Sequence, residues 1–228
     1  MTAKHDSAIV FKIEFDTLCD DNGKVDKKRM EHLAMLCSNI RNSGTNLLMV
    51  SSGAIALGAF MLGLNEKPSG ITAKQAVAAV GQVELIMLYQ DCFERFGQTV
   101  AQVLLTRDAT EDPVRKMNAR NTIARLLQKG IIPVINENDS VSTTDIILND
   151  NYPLALMASE LANAGAIVVN TTGPDSFLLL IKGYPSVVTA DTDELLEVVS
   201  RLDSGEFNNC FRKGGFPGYY EYAGVTIN

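Results

Sequence analysis

Residues 45–54 read TNLLMVSSGA, and the way this stretch is read decides the fold. Thr45–Val50 is a short, nearly continuous apolar run, shorter than a helix and without the period-two alternation of a strand with one wet face. A strand apolar on both sides belongs to a sheet covered on both faces, which is the setting of a parallel sheet in an α/β protein. The run passes directly into Ser51-Ser52-Gly53-Ala54 and then into small residues at helical spacing. The same grammar repeats outward. Strands are expected at Ser7–Ile13 (SAIVFKI), Thr99–Leu105, Ile131–Asn136 (IIPVIN) and Ala166–Asn170 (AIVVN). Between them, Asp26–Ser43 carries Met30, Leu33, Leu36 and Ile40 at helical spacing after the turn DDNGK at 20–24. Ala73–Phe96 is a long helix, either broken at Gly81 or packed closely there. Asp112–Lys129 is a helix with Asp112 as its N-cap, Pro113 at its first position and Gly130 at its end. Leu154–Asn163 is a further helix. Alternating strands and helices predict a parallel sheet between helix layers.

From Asp175 onward the pattern degrades. Pro174, Gly183 and Pro185 interrupt it, Asp191–Leu202 reads as a short helix, and 211–228 (FRKGGFPGYYEYAGVTIN) reads as loop plus a final short strand.

Bulk properties narrow the function. The chain has 228 residues, 46% hydrophobic and 21% charged, which suits one globular domain. A net charge of −7 and a pI near 4.9 argue against nucleic acid and against an anionic membrane surface. The four cysteines, Cys19, Cys37, Cys92 and Cys210, lack metal-ligand spacing and read as free thiols of a reducing, cytoplasmic compartment. With His5 and His32 as its two histidines, the chain is a poor candidate for a histidine zinc site or a Ser-His-Asp triad. The first residues lack the apolar core of a signal peptide, and the chain lacks an 18-residue apolar run, so no membrane span is expected.

In an open parallel sheet, ligands sit beyond the carboxyl ends of the strands. Three polar segments fall there: SSGA (51–54), NENDS (136–140) and NTTG (170–173). Each alone is also what an ordinary βα turn looks like; their coincidence at one edge favours a site. GxxxxGK[ST] and GxGxxG are both absent, so any phosphate chemistry uses another solution. Lys12, inside the first apolar strand, is either an edge lysine with a wet tip or a cation facing an anion. The N–H groups of Ser51, Ser52 and Gly53 make either a simple helix cap or an anion-ready nest. Asn136, Glu137, Asn138 and Asp139 form one polar cluster, and Asn149, Asp150 and Asn151 a second.

Taken in order, SSGA, KQAVAAVGQ (74–82), VAQVLLTR (100–107), NAR (118–120) and IIPVINENDSV (131–141) resemble the glutamate 5-kinase family. The resemblance runs from about Ile9 to Asn170, fades near residue 190, and returns weakly at Gly214-Gly215 and Ala223-Gly224-Val225. It implies a three-layer α/β/α sandwich with a mainly parallel central sheet. It implies ATP, Mg²⁺ and transfer of the γ-phosphate onto the side-chain carboxylate of glutamate, in proline biosynthesis. It places Ser52, Gly53, Asn136, Asp139, Asp150 and Asn151 around glutamate, with Asp139 pairing the ammonium. Lys12 falls where a lysine contacts the transferring phosphate, and Thr171-Thr172 at the nucleotide edge.

Four features depart from the family pattern. Glu14 and Phe15 follow Lys12 where a glycine-serine loop is expected. Tyr152 stands where a catalytic aspartate is expected, and a phenol is not a carboxylate at neutral pH. Thr171-Thr172 replaces a Thr-Asp pair. Tyr219 takes the place of a catalytic lysine, for which Lys213 is a substitute only after a register shift. The expectation is therefore one amino-acid kinase-like domain over 1–228, divergent and shortened from about 175, without a C-terminal RNA-binding-like domain. It keeps a pocket for glutamate or proline and has impaired phosphotransfer. The alternatives are a slow kinase using Lys12 and Lys213, or a binding or regulatory subunit. The resemblance also implies a homo-oligomer and admits association with an active kinase or the next pathway enzyme.

Overall fold

The computed structural model describes residues 8–20, 23–64, 66, 68–142, 151–171, 176–181 and 188–201. Its elements are β1 (Ala8–Ile13), α1 (Lys27–Asn42), β2 (Asn46–Ser51), α2 (Ala54–Met61), α3 (Ile71–Glu94), β3 (Val100–Leu105), α4 (Pro113–Gln128), β4 (Ile132–Glu137), α5 (Tyr152–Ala162), β5 (Ala164–Asn170), β6 (Phe177–Ile181), β7 (Val188–Ala190) and α6 (Thr192–Arg201). The strands form one sheet in the order β3-β4-β2-β1-β5-β6-β7. The first five in that order are mutually parallel, with Lys12 of β1 beside Val50 of β2 and Val169 of β5. β6 and β7 pair antiparallel.

Period-two alternation sends β1 side chains to two different cores. Ile9, Phe11 and Ile13 join Met49, Val134 and Val168 under α1, α3 and α6. Ala8 and Val10 join Leu48, Val50, Ile135 and Val169 under α4 and α5. Both faces of the central strands are covered, which is why each reads as a continuous apolar run and why the three-layer expectation holds. The caps follow the sequence. Asp26 accepts hydrogen bonds from the N–H groups of Lys28 and Arg29, and Asp112 from those of Val114 and Arg115.

Gly81 does not break α3. It is the point where α3 meets α2: a Cβ there would lie 1.8 Å from the carbonyl oxygen of Ala54, and one on Gly58 would lie 2.0 Å from that of Val77. By length and composition alone α3 is long and apolar enough to cross a membrane, a test that the core helices of soluble proteins also pass; its apolar residues are interleaved with Gln and Ala instead of forming a block. One face of α3 packs inward through Val77, Leu85, Tyr89 and Phe93, while Val80, Val83 and Met87 are exposed. The antiparallel pair β6–β7 lies where the sequence pattern degraded, and the short helix expected at Asp191–Leu202 is α6.

Candidate functional site

Five parallel strands deliver their carboxyl ends to one rim, and the predicted site residues within the described segments gather along it. Lys12 is near the end of β1, Ser52 and Gly53 follow β2, Asn136 and Asp139 end and follow β4, and Thr171 follows β5. Asn151 precedes α5, whose first turn is at the same rim because the helix runs back to the start of β5. Its side chain does not cap α5, although its carbonyl accepts from the N–H of Ala155 at 3.0 Å.

At the tips of β1 and β2 the space is filled by the chain itself. Lys12 is 3% exposed and forms an ion pair with the carboxylate of Glu14. A buried ammonium is costly without such a partner. The Glu14 N–H donates to Oδ1 of Asn170 at 2.7 Å, and the Phe15 N–H donates to Oγ of Ser52 at 3.2 Å. Both backbone donors that a phosphate would need at this turn are thus bonded to side chains. Phe15 opens a 3-10 turn, Phe15–Leu18, and its ring lies against Gly53, where a Cβ would come within 2.3 Å of the ring. Gly53 has φ +113°, a conformation that glycine adopts without strain. Asn170 also donates through Nδ2 to Oγ1 of Thr17, which donates to the Glu14 carbonyl at 2.6 Å. Ser51 points into the core under α1, α3 and α6, 2.7 Å from the hydroxyl of the fully buried Tyr89. Burial pushes the Tyr89 phenol well above its ordinary pKa, partly opposed by the Ser51 bond.

The tip of β4 is more open. Asn136, 3% exposed, donates through Nδ2 to Oε1 of Gln82 on α3 at 2.7 Å, and its own Oδ1 accepts the Glu137 N–H at 2.9 Å. Next to this pair lies a cavity of about 240 Å³, walled by Ala78, Ala79, Gln82 and Val83 of α3, by Gln102 and Leu104 of β3, and by Glu137–Ser140. The turn after β4 is held by the Asn138 N–H donating to the Leu105 carbonyl at 2.7 Å.

Thr171 hydrogen-bonds through both N–H and Oγ1 to the Ser176 carbonyl and closes the β5–β6 connection. Tyr152 is the first residue of α5 and is 7% exposed, part of the core under α4 and α5. Asp150, Thr172, Lys213 and Tyr219 lie outside the described residues, as do Cys210 and the loop-and-strand reading of 211–228. Two participants escaped the sequence reading. Gln82 closed a recognised motif without a role, and Asn170 ended a strand; neither signal tells which distant side chain it will meet. Among the described residues no group of three or more His, Cys, Asp or Glu is arranged to hold a metal ion.

A family model described as "Amino acid kinase family" matches residues 18–172. Among similar proteins, the glutamate 5-kinase of Lactococcus lactis subsp. lactis (strain IL1403) is 41% identical over 165 residues, 71% of this chain and 61% of that protein. The glutamate 5-kinase of Clostridium perfringens (strain 13 / Type A) is 45% identical over 170 residues, 73% of this chain and 63% of that protein. The chain therefore spans about three fifths of the length of these curated relatives. A crystal structure of UMP kinase from Bacillus anthracis is 18% identical with a TM-score of 0.47, covering 75% of this chain and 67% of that one.

Proposed function

The chain belongs to the amino acid kinase family, and on that premise we propose that it is a glutamate 5-kinase-like protein that retains a site for glutamate while phosphotransfer is impaired. The observation that carries this reading is the contrast along one rim. At the β4 tip, Gln82, which holds Asn136, borders open space together with Asn138 and Asp139; at the β1 tip, Lys12, both backbone donors and the space above Gly53 are occupied by Glu14, Ser52, Asn170 and Phe15. Glutamate would be held by Ser52, Gly53, Asn136, Asp139 and Asn151, and Asp150, the other residue expected there, lies outside the described residues. ATP with Mg²⁺ is the phosphate donor that the family reading supplies. The β1 tip as arranged does not fit its phosphates, because Glu14 and Phe15 occupy it. Losing one preorganised charge-stabilising group costs about 10²–10³ in rate, and here Lys12 itself is neutralised.

The test is an ATP-dependent hydroxamate assay with glutamate and hydroxylamine. Turnover at background with glutamate binding intact by calorimetry is the expected result. Turnover that disappears in Lys12→Ala would establish the working kinase instead. Absence of glutamate binding would remove the substrate reading.

The reading extends to a homo-oligomer. Phe60, Met61, Leu62 and Leu64 around the end of α2, with Val80, Val83 and Met87 of α3, are large apolar side chains between 40% and 64% exposed. A two-fold dimer needs a self-complementary patch of roughly 800 Å² per partner, and this face is apolar enough to supply one. Light scattering should give a dimer or larger for the wild type and a monomer for Val83→Glu with Met87→Glu; a monomeric wild type would contradict it. The free thiols of Cys19, Cys37 and Cys92 suit a cytoplasmic location.

A further inference from the structure

We propose that Tyr89 and Ser51 are positioning residues: their hydroxyls form a relay from the core that holds the Ser52–Gly53 peptide with its N–H, and not its carbonyl, turned outward to a bound anion. The direction of the relay follows from where the protons can go. The Ser51 hydroxyl lies 2.9 Å from the Ser52 carbonyl oxygen and 2.7 Å from the Tyr89 hydroxyl. Ser51 has one proton to give, and a carbonyl oxygen has none. Both contacts are hydrogen bonds only if Ser51 donates to the carbonyl and Tyr89 donates to Ser51. Ser51 and Tyr89 are fully buried, and a buried hydroxyl that finds no acceptor is costly. The relay therefore runs from the Tyr89 O–H to Ser51 Oγ, and from the Ser51 O–H to the Ser52 carbonyl.

The peptide held in this way has two orientations open to it. In a trans peptide the carbonyl and the N–H point in opposite directions. With the Ser52 carbonyl drawn to Ser51, the Gly53 N–H points away from the core, and among the described residues it meets no acceptor. Gly53 has φ +113°. Turning the peptide over carries φ into the negative region open to every residue, and glycine occupies both regions about equally well. The backbone thus leaves the choice to the hydroxyl beside it. Tyr89 cannot follow a turning peptide, because its ring is enclosed in the core and packs on Phe93 with ring centroids 6.4 Å apart. In the turned-over state a carbonyl oxygen would face the rim and repel an anion. The relay rests on the glutamate reading only for the identity of the anion that meets the N–H.

The test pairs a backbone readout with a binding readout on the whole chain. By nuclear magnetic resonance, the two three-bond couplings from the Gly53 amide proton to its α-protons report φ: they are strongly unequal at +113° and nearly equal once the peptide has turned over. The wild type should show unequal couplings, Ser51→Ala nearly equal ones, and Ser51→Thr, which restores the hydroxyl, the wild-type pattern. By calorimetry with L-glutamate, Ser51→Ala should bind about tenfold or more weakly, the scale of a hydrogen bond to a charged group. Tyr89→Phe removes one hydroxyl and leaves no buried donor without an acceptor, so it keeps the idea exposed to refutation if Ser51→Ala fails to fold. It should shift the couplings part of the way and weaken binding about three- to tenfold, the range of one neutral hydrogen bond. Added to Ser51→Ala it should cost nothing more, because the two act in one chain. Wild-type couplings in either folded variant overturn the relay, and so does undiminished glutamate affinity once the couplings have changed. Couplings that shift as stated in a chain whose wild type does not bind L-glutamate support the relay and remove the glutamate reading.

Discussion

Replacing Gly81 by valine is expected to lower the unfolding free energy by about 3 kcal/mol or more, at the upper end of what overpacking costs. Gly81 faces α2, and the nearest atoms to a Cβ there are backbone: the Ala54 carbonyl oxygen at 1.8 Å, the Gly58 nitrogen at 2.3 Å and the Ala54 carbon at 2.9 Å. A flexible side chain could turn away from an added methyl, but backbone cannot. The two helices would have to separate, and α3 carries Leu85, Tyr89 and Phe93 into the core while α2 starts directly at the β2 tip. The loss would therefore reach the rim as well as the core. Urea denaturation at unchanged m-value measures it. Gly97 is a useful contrast, because it has φ +69° and nothing within 4 Å of an added Cβ, so alanine there meets backbone strain alone. A Gly81→Val variant within about 1 kcal/mol of wild type would mean that α2 and α3 do not approach this closely, since that is the cost of an ordinary substitution.

The second large effect is a gain. Glu14→Gly combined with Phe15→Ala should raise the affinity for inorganic pyrophosphate by about ten- to a hundredfold, the range set by hydrogen bonds to charged groups. Three things change together. The Lys12 ammonium loses its carboxylate partner, a negative charge leaves the β1 tip, and the ring that covers Gly53 is gone. Glycine at 14 fits the existing extended backbone, φ −80° and ψ 107°. Calorimetry at low and high salt measures the gain, which should shrink as ions screen Lys12. Adding Lys12→Met to the double variant should remove it. Wild-type chain that binds pyrophosphate as tightly as the variant would show that Glu14 and Phe15 do not exclude anions.

Much of the fold was legible because the central strands obey one simple rule. A strand such as TNLLMV or AIVVN, buried on both faces, has no polar side to confuse the reading, and its neighbours in the chain end in recognisable caps such as Asp26 and Asp112. The pair β6–β7 was harder. Its sequence carries Pro and Gly on both sides of short apolar runs, and the antiparallel direction depends on pairing with β5, which no local window contains. At the rim, residue types announced themselves but partners did not. Lys12 and Asn136 were recognised from their positions, whereas Gln82 against Asn136 and Asn170 against Glu14 join residues 54 and 156 positions apart. Lys12 illustrates the difference best: the sequence left open whether it meets water or an anion, and the fold gives it the carboxylate two residues away. Tyr152 shows the reverse. Read as a substituted catalytic position, it also has a packing role, in the core beneath α4 and α5.

The reversal of direction after Asn170 has a consequence for how this chain tolerates change. Up to that residue, every strand ends at the rim, so a slip of register anywhere would displace a side chain that faces the ligand region. β6 starts at the rim and runs away from it, and among the described residues β7 pairs with β6 alone. Length changes beyond β6 therefore leave the register of the five parallel strands in place, while α6 still shares a core with Ile9, Phe11 and Ile13. The match to the amino acid kinase family model ends at residue 172, close to the point where the chain turns back from the rim.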